Sequence, residues 1–512
     1  MQFHDFDFNG LFVFDLANNH QGSVPHALAI IHGVGAVARQ QGVRGVFKFQ
    51  FRDLDTLIHP AHHEHSDNKH IPRFLATRLQ PAQFQTLLDA VREEGLLAMC
   101  TPFDEASVET ISRMNFDLIK VASCSAKDWP LLEKVAESGL PVIFSTGGLS
   151  LRNIDNLVSF FEHRGCDFAI MHCVSIYPTP PEKCHLNQID VLRRRYPSRT
   201  IGWSTHEDPD AIAPVQIVAA KGAAMFERHV GIATPDIQLN AYSSTPEQVD
   251  RWIGAWKTAQ ILCGATERIQ DAAEVESIDT LRRGVFARRT LKKGEILGPD
   301  EVYFAMPFQA GQLSSEKWHA GIATQTEIRQ DEPVLLEAIQ VPLDPAAKLI
   351  KAAIHEVKAL LNEAGVRLGA TFEVEYSHHY GIARFREFGV VIINCINREY
   401  CKKILVQLPG QRHPHHYHKR KEETFQILYG ELDIMVDGQR KRLVPGDTQL
   451  VLPGVWHAFW TDTGCVFEEV STTHYNNDSV YRDTEIQKLE RYQRKTIVNH
   501  WGRYQIGDPS PS

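Results

Sequence analysis

Lysines, serines and histidines recur in this chain where short apolar runs end. Asn18-Asn19-His20, Lys48 and Gln50, Thr101-Pro102, Ser123, Ser145-Thr146-Gly147, His172, Ser204-Thr205-His206 and Arg228-His229 each follow such a run. Ammonium and hydroxyl groups donate hydrogen bonds to oxyanions, while imidazole binds metal ions or carries protons. A second concentration lies far along the chain. His416 and His418 are two residues apart, a spacing that turns both to one face of a strand, and Glu423 and His457 follow. Histidines at positions 59, 62, 63, 65 and 70 fall in a long polar stretch that reads as a solvated loop rather than a metal site.

The elements that must position these groups are legible as hydrophobic periodicity. Eight apolar, β-branched or aromatic runs, at residues 11–16, 45–50, 96–100, 117–122, 141–145, 167–171, 200–203 and 223–227, alternate with longer amphipathic stretches. Repeated strand–helix units of this kind predict an α/β fold, a (β/α)8 TIM barrel over residues 1–270, whose chemistry belongs at the C-terminal ends of the strands. After the acidic stretch 271–276, residues 277–341 read as a small β-rich domain in which Leu291-Lys292-Lys293-Gly294-Glu295 makes a turn. Leu349, Ile350, Ala353, Ile354, Val357, Leu360 and Leu361 fall at helical spacing. Strand-like runs from Val390 to about His474 then predict an all-β domain, so that residues 345–485 form a helix plus β unit. Residues 486–512 read as a polar tail with a disordered end at 507–512.

Composition excludes several classes of partner. The 512 residues carry a net charge of −9, so no basic field invites nucleic acid or an anionic membrane. The nine cysteines include no C-x-x-C pair, which fits a reducing cytoplasm rather than a disulfide scaffold. Residues 1–9 lack the basic start and apolar core of a signal peptide, and no run is long enough to span a bilayer. The expectation is a cytoplasmic protein that acts on small molecules.

The run from Phe14 to Ser23, then Lys48-Phe49-Gln50, Thr101-Pro102-Phe103, Lys120-Val121-Ala122-Ser123, Ser145-Thr146-Gly147, the segment from His172 to Pro180, Ile201 to His206 and Phe226 to His229, in this order and spacing, resembles the sialic acid (N-acetylneuraminate) synthases. The resemblance implies that C3 of phosphoenolpyruvate attacks the open-chain aldehyde of an N-acylated sugar while water adds at C2 and phosphate leaves. It implies a divalent cation, Mn2+ or Mg2+, on His206 and His229 to polarise the aldehyde oxygen. It assigns Lys48, Lys120, Thr101, Ser123, Ser145 and Ser204 to the phosphate and carboxylate of phosphoenolpyruvate, and Asp15, Gln50, Tyr177 and Asp236 to the sugar. Asp15, Lys48, Lys120 and Tyr177 would be the catalytic set. Three departures stand out: Ser123-Cys124-Ser125 replaces a stretch with a glutamate, Ser175 stands where a phosphate-contacting asparagine is usual, and Thr205 stands where an aspartate precedes the metal histidine. Loss of a positioned acid or base costs roughly 10²- to 10⁴-fold in rate. Residues 277–341 are similar to the antifreeze-like (SAF) domain of these synthases, which implies a domain-swapped homodimer; the arginine that reaches the sugar's acyl group is Met306 here.

Gly410-x5-His416-x-His418-x4-Glu423-x6-Gly430 and Gly446-x6-Pro453-Gly454-x2-His457 fit the two cupin motifs. The implied ligand set is His416, His418, Glu423 and His457 around manganese, iron, nickel, cobalt or zinc. Ser377 to Gly381, Ile392 to Tyr400, and Lys419 and Lys421 beside the first motif resemble the cupins of lyxose-isomerase-like sugar isomerases, which implies ketose–aldose interconversion. The sequence thus predicts a synthase of a sialic-acid-like (nonulosonic) sugar for surface carbohydrate. Two alternatives are a cupin isomerase on a diverged barrel and a sugar-binding regulatory protein.

Overall fold

Each of the eight apolar runs becomes a strand, and the strands close on themselves. In the computed structural model, which describes residues 6–64, 66–341, 345–369, 372–475 and 477–498, β1 (Leu11–Asp15), β2 (Arg44–Phe51), β3 (Leu97–Pro102), β4 (Leu118–Val121), β5 (Val142–Ser145), β6 (Phe168–Cys173), β7 (Ile201–Thr205) and β8 (Met225–His229) pair in sequence order as a parallel barrel. β1 closes the ring, with Asp15 opposite both Lys48 of β2 and His229 of β8. Several strands run further than the apolar periodicity suggests. Lys48, Gln50, Thr101, Ser204 and His229 therefore sit within the strands rather than after them, because the backbone ladder continues past the last apolar side chain.

The period-2 alternation of a strand sorts each run into two faces. Phe12, Phe14, Phe47, Phe49 and Phe144 turn outward against the helices. Leu11, Val13, Val46, Met99, Leu118, Ile143, Met171 and Met225 turn inward and form a dry plug. The plug is tight: a Cβ on Gly202 would lie 2.7 Å from the Met225 side chain. The next inward positions up the strands are polar, namely Asp15, Lys48, Thr101, Lys120, Ser145, Ser204 and Glu227, and all are buried. The barrel thus carries a charged layer on an apolar floor. Helix starts are fixed by side-chain caps, including Ser23, Asp104, Asp128, Ser150 and Thr245.

The chain divides into two compact units, Met1–Ile269 and Gln270–Ser512. In the second, the acidic stretch becomes a helix, Ala272–Asp279, capped by Asp271. β9 (Gly284–Ala287) pairs antiparallel with β10 (Val302–Ala305), and β11 (Ala323–Thr324) with β12 (Ile339–Gln340), around a core that includes Val285, Leu291, Leu297, Leu313 and Val334. Met306 directly follows β10 and is exposed. The expected turn forms between Lys292 and Glu295.

The helix Pro345–Glu363 lays Ile350, Ala353, Ile354, Val357 and Leu361 on Val374, Tyr376, Ile393, Val406 and Val466. The strands that follow are β13 (Glu373–Ser377), β14 (Val390–Asn397), β15 (Tyr400–Gln407), β16 (Arg412–His418), β17 (Glu423–Gly430), β18 (Leu432–Val436), β19 (Gln439–Leu443), β20 (Thr448–Val451), β21 (His457–Trp460), β22 (Cys465–Thr472), β23 (Ser479–Tyr481) and β24 (Lys495–Val498). They build a seven-stranded sheet, β20-β17-β22-β15-β14-β13-β24, and a five-stranded sheet, β19-β18-β21-β16-β23. The stretch read as a polar tail in fact supplies β24, whose Val498 pairs with Val374 and closes an otherwise open edge. Residues 507–512 lie outside the described ones. All nine cysteines are free, and no helix among the described residues is long and apolar enough to cross a membrane.

Candidate active site and metal centre

Four buried charges organise the top of the barrel. Lys48 Nζ lies 3.0 Å from Asp15 Oδ2 and 3.0 Å from Glu227 Oε1, and Lys120 Nζ lies 2.6 Å from Glu227 Oε2. Ser204 Oγ donates to Glu227 Oε1 at 3.0 Å. One carboxylate on β8 therefore holds two ammonium groups, from β2 and β4. Burial alone would raise the Glu227 pKa, but Lys120 and Lys48 hold it well below the carboxylate range. Burial opposes the charge on Lys48, yet Asp15 and Glu227 more than offset it and raise its pKa, whereas burial wins at Lys120 and lowers it. Removing one partner from such a buried pair costs roughly 3–5 kcal/mol.

The layer lies under a cleft of about 360 Å³. Thr101, Ser123, Ser145 and Ser175 bring hydroxyls to its wall, and Thr101 Oγ1 has no hydrogen-bond partner although it is buried. Ser123 Oγ accepts the Gly147 N–H at 2.9 Å. A Cβ at 147 would lie 2.2 Å from Ser175 Oγ and 2.8 Å from Ser123 Oγ, so a larger residue would displace both hydroxyls.

On the β7–β8 side, the His206 and His229 rings stand 5.3 Å apart. His206 Nδ1 donates to the Val174 carbonyl at 2.8 Å, which leaves Nε2 as a lone-pair donor. Burial, then the neighbouring His229, hold His206 neutral, its pKa down to about 3; burial likewise lowers His229. Two neutral imidazoles beside Asp15, whose Oδ2 is 3.4 Å from His229 Nε2, fit one divalent cation with positions open to substrate. Tyr177 packs on His206 at 4.2 Å and on Tyr242 at 5.2 Å. Arg228, fully buried, bonds Glu207 at 2.9 Å and the Pro209 carbonyl at 3.0 Å, which pins the loop that carries His206.

The fold brings twelve sequence-predicted residues to this one cleft: Asp15, Lys48, Gln50, Thr101, Lys120, Ser123, Ser145, Ser175, Tyr177, Ser204, His206 and His229. Asp236 is not among the lining residues; it is exposed, on the segment after β8. His172 is turned to the Cys184 carbonyl at 3.0 Å and also lies off the cleft. Position 125 is buried behind its turn, so the cleft wall there is Ser123 and Cys124. Glu227 is the residue that sequence reasoning passed over. Its signal was available, because a residue two before His229 on one strand must share its inward face.

Residues 36–267 match the NeuB family and residues 404–467 match the cupin domain. A crystal structure described as a candidate spore coat polysaccharide biosynthesis protein E from Chromobacterium violaceum is 44% identical, covers 65% of this chain and 100% of its own, and superposes with a TM-score of 0.62. An uncharacterised protein of Methanocaldococcus jannaschii is 34% identical over 46% of this chain and 69% of its own. The chain belongs to the NeuB family. The spore coat polysaccharide biosynthesis protein SpsE of Bacillus subtilis is 28% identical over 57% of this chain and 83% of its own.

This NeuB chain carries a second constellation in its cupin domain. One ligand atom each from His416, His418, Glu423 and His457 lies within 4.8 Å of all the others. His416 Nδ1 donates to the Pro414 carbonyl at 3.0 Å and His457 Nδ1 to the Val455 carbonyl at 3.1 Å, so both present Nε2 inward. His457 Nε2 and Glu423 Oε1 are buried and 2.8 Å apart, yet neither is aligned for a hydrogen bond. Convergent, unsatisfied lone pairs of this kind fit a metal ion. Burial keeps His416 and His418 neutral, with His416 well below its ordinary pKa and His418 down to about 2. Lys421 Nζ bridges Glu423 at 2.5 Å and Glu469 at 2.9 Å, and Lys403 reaches Glu469 at 3.1 Å. The space left among these groups is about 50 Å³.

Proposed function

We propose that this NeuB-family chain is a nonulosonic acid synthase that condenses phosphoenolpyruvate with an N-acylated aldose and releases phosphate. The observation that carries the reading is the Lys48–Glu227–Lys120 bridge beneath a hydroxyl-lined cleft, beside the His206 and His229 pair. Relatives bear names of this chemistry: N-acetylneuraminate-9-phosphate synthase of Drosophila melanogaster, 32% identical over 42% of this chain and 58% of its own, and N,N'-diacetyllegionaminic acid synthase of Legionella pneumophila.

On this reading Lys48 and Lys120 each spend part of their donors on Glu227 and keep a free N–H for the substrate's phosphate and carboxylate. Thr101, Ser123 and Ser145 supply the neutral donors. Glu227, held ionised, is a positioning residue: it aims both ammonium groups and balances their charge before substrate arrives. Tyr177 and Gln50 hold the sugar. A divalent cation, Mn2+ or Mg2+, on His206 and His229 would polarise the acceptor's aldehyde oxygen. In the reaction C3 of the enol bonds to the aldehyde carbon, whose oxygen takes up a proton; water adds at C2 and gives up its protons as the C2–O bond breaks, so that phosphate leaves with the former enol oxygen and C2 becomes a ketone. The missing carboxylate at Ser125 does not stop this sequence, since that position is off the cleft and Asp15 faces it.

The same reading makes the protein a cytoplasmic homodimer, with residues 277–341 over the partner's barrel, and makes the cupin a transition-metal site that handles a sugar. Phosphate release tests the core of it. Release from phosphoenolpyruvate should require an N-acylated aldose and vanish when His206→Ala and His229→Ala are combined with the fold retained. Full activity in that double variant would remove the barrel-metal assignment.

A further inference from the structure

A separate small pocket near the end of β2 shares Gln50 with the cleft. Its volume is about 40 Å³, and Asn18, His20, Arg52, Thr77 and Arg78 supply the rest of its polar wall. That volume holds a group of a few heavy atoms, not a sugar ring. The lining contains no carboxylate.

Arg52, the residue directly after β2, is clamped between two rings. Its guanidinium carbon lies 4.1 Å from the centroid of Phe74 and 3.8 Å from that of Phe103. With both faces covered, only the edge of the guanidinium can bond in plane, the geometry that matches an oxyanion bidentately. One edge N–H goes to Gln50 Oε1 at 2.9 Å. Among the described residues Arg52 forms no ion pair, and the nearby acids are engaged elsewhere. Asp104 accepts from Asp53 N and from Ser107 N and Oγ, Asp53 caps Asp55 N and Thr56 N, and Asp55 takes both terminal nitrogens of Arg78. His20 Nδ1 accepts the Gly22 N–H at 3.1 Å, so the neutral ring offers Nε2–H as a second donor. A cation held against two rings, half-buried, with Asp15 and Asp104 nearby but no carboxylate in contact among the described residues, can take an anion directly.

We infer that Arg52 is a specificity-determining residue that binds one anionic group, a carboxylate or a phosphate ester, on the acceptor sugar. The inference rests on the synthase reading for the identity of the ligand as acceptor, but not for the binding of the anion. Gln50 links the two functions. Its amide oxygen is occupied by Arg52, which leaves its NH₂ to donate into the main cleft, so an anion on Arg52 and the sugar in the cleft are read by one connected set.

The test compares three acceptors with phosphoenolpyruvate and manganese: a neutral N-acylhexosamine, its 6-phosphate and the matching N-acylhexosaminuronic acid. Wild type is expected to favour an anionic acceptor by at least about ten-fold in kcat/KM, and Arg52→Leu to cut that preference roughly 10- to 100-fold. Arg52→Lys, which keeps the charge but not the fork, should fall between and serves if the leucine variant misfolds. Whether the phosphate or the uronate wins tells which oxyanion the pocket takes. Equal use of neutral and charged acceptors, or an equal loss on all three in Arg52→Leu, overturns the inference. Calorimetric titration of the 6-phosphate and the uronate onto wild type and Arg52→Leu separates the two claims. Binding of either that the variant loses, without any phosphate release, would sink the synthase reading and keep the anion site. Phosphate release with neutral sugars, and no anion binding, would do the reverse.

Discussion

The barrel cleft and the cupin pocket both gather histidine, lysine and glutamate, yet they are built to opposite plans. In the cleft, charges cancel in pairs beneath about 360 Å³ of open space, and its two imidazoles sit 5.3 Å apart. In the cupin, four ligand atoms already lie within 4.8 Å, around about 50 Å³. Parallel strands splay their C-terminal ends and deliver side chains to a rim, whereas antiparallel strands fold back and deliver them to an interior. On the proposed reading the cleft is completed by its substrates and the cupin by an ion. Each expected outcome below breaks or sharpens that contrast.

Among single substitutions the largest effect should come from Glu227→Gln, which removes the shared counter-charge, leaving Lys120 without its carboxylate and Lys48 with Asp15 alone. A loss of about 10³-fold in kcat/KM is expected from phosphate-release kinetics. A loss below ten-fold would mean that the bridge is only structural. Next, His416→Ala should weaken metal binding at the cupin by at least about 100-fold, read by titration of metal-stripped protein. Unchanged stoichiometry and affinity would count against a preassembled centre.

Stability against pH should divide the two regions in the same way. Burial holds His20 of the barrel and His378 of the cupin neutral, each down to about 4, and brings His474 down to about 3. The unfolded chain takes up these protons as pH falls below 6.5 while the folded chain does not, so the stability is complete above 6.5 and is lost progressively down to the folded values. From pH 6.5 to 5 each such histidine costs about 2 kcal/mol. The second unit, where burial lowers the pKa of His378, His379, His413, His415, His416, His418 and His474 against His20, His26, His172, His206 and His229 in the barrel, should show the steeper fall in region-resolved hydrogen exchange; a steeper fall in the barrel would contradict the assignment. The smallest effect is expected at Thr101→Val. Its hydroxyl has no hydrogen-bond partner among the described residues, so the change should raise KM for phosphoenolpyruvate by roughly five- to ten-fold with little change in Tm.

How much of this was written in the sequence differs by element. The barrel strands announce themselves because their outward positions are aromatic and their inward ones apolar or small, so periodicity and strand-end chemistry agree. The cupin ligands are legible because their spacing is local to β16, β17 and β21. Glu227 escaped because its role depends on lysines 179 and 107 residues earlier in the chain, at 48 and 120, and a strand pattern does not say which side chains meet. Asp236 lies off the cleft lining for the reverse reason: it follows the last strand, on an exposed segment. β24 was hidden because four residues in a polar stretch make an edge strand only once a partner edge exists. The clamp on Arg52 draws its rings from two other segments, at 74 and 103, and is invisible until they close.

The most direct measurement is the mass of the product. Purified protein with manganese, phosphoenolpyruvate and a panel of N-acylated hexosamines, neutral and charged, should release one phosphate per product, and that product should be heavier than its acceptor by one pyruvic acid. Absence of phosphate release with every acceptor, or isomerised sugars with phosphoenolpyruvate intact, would contradict the synthase assignment and make the cupin the working site.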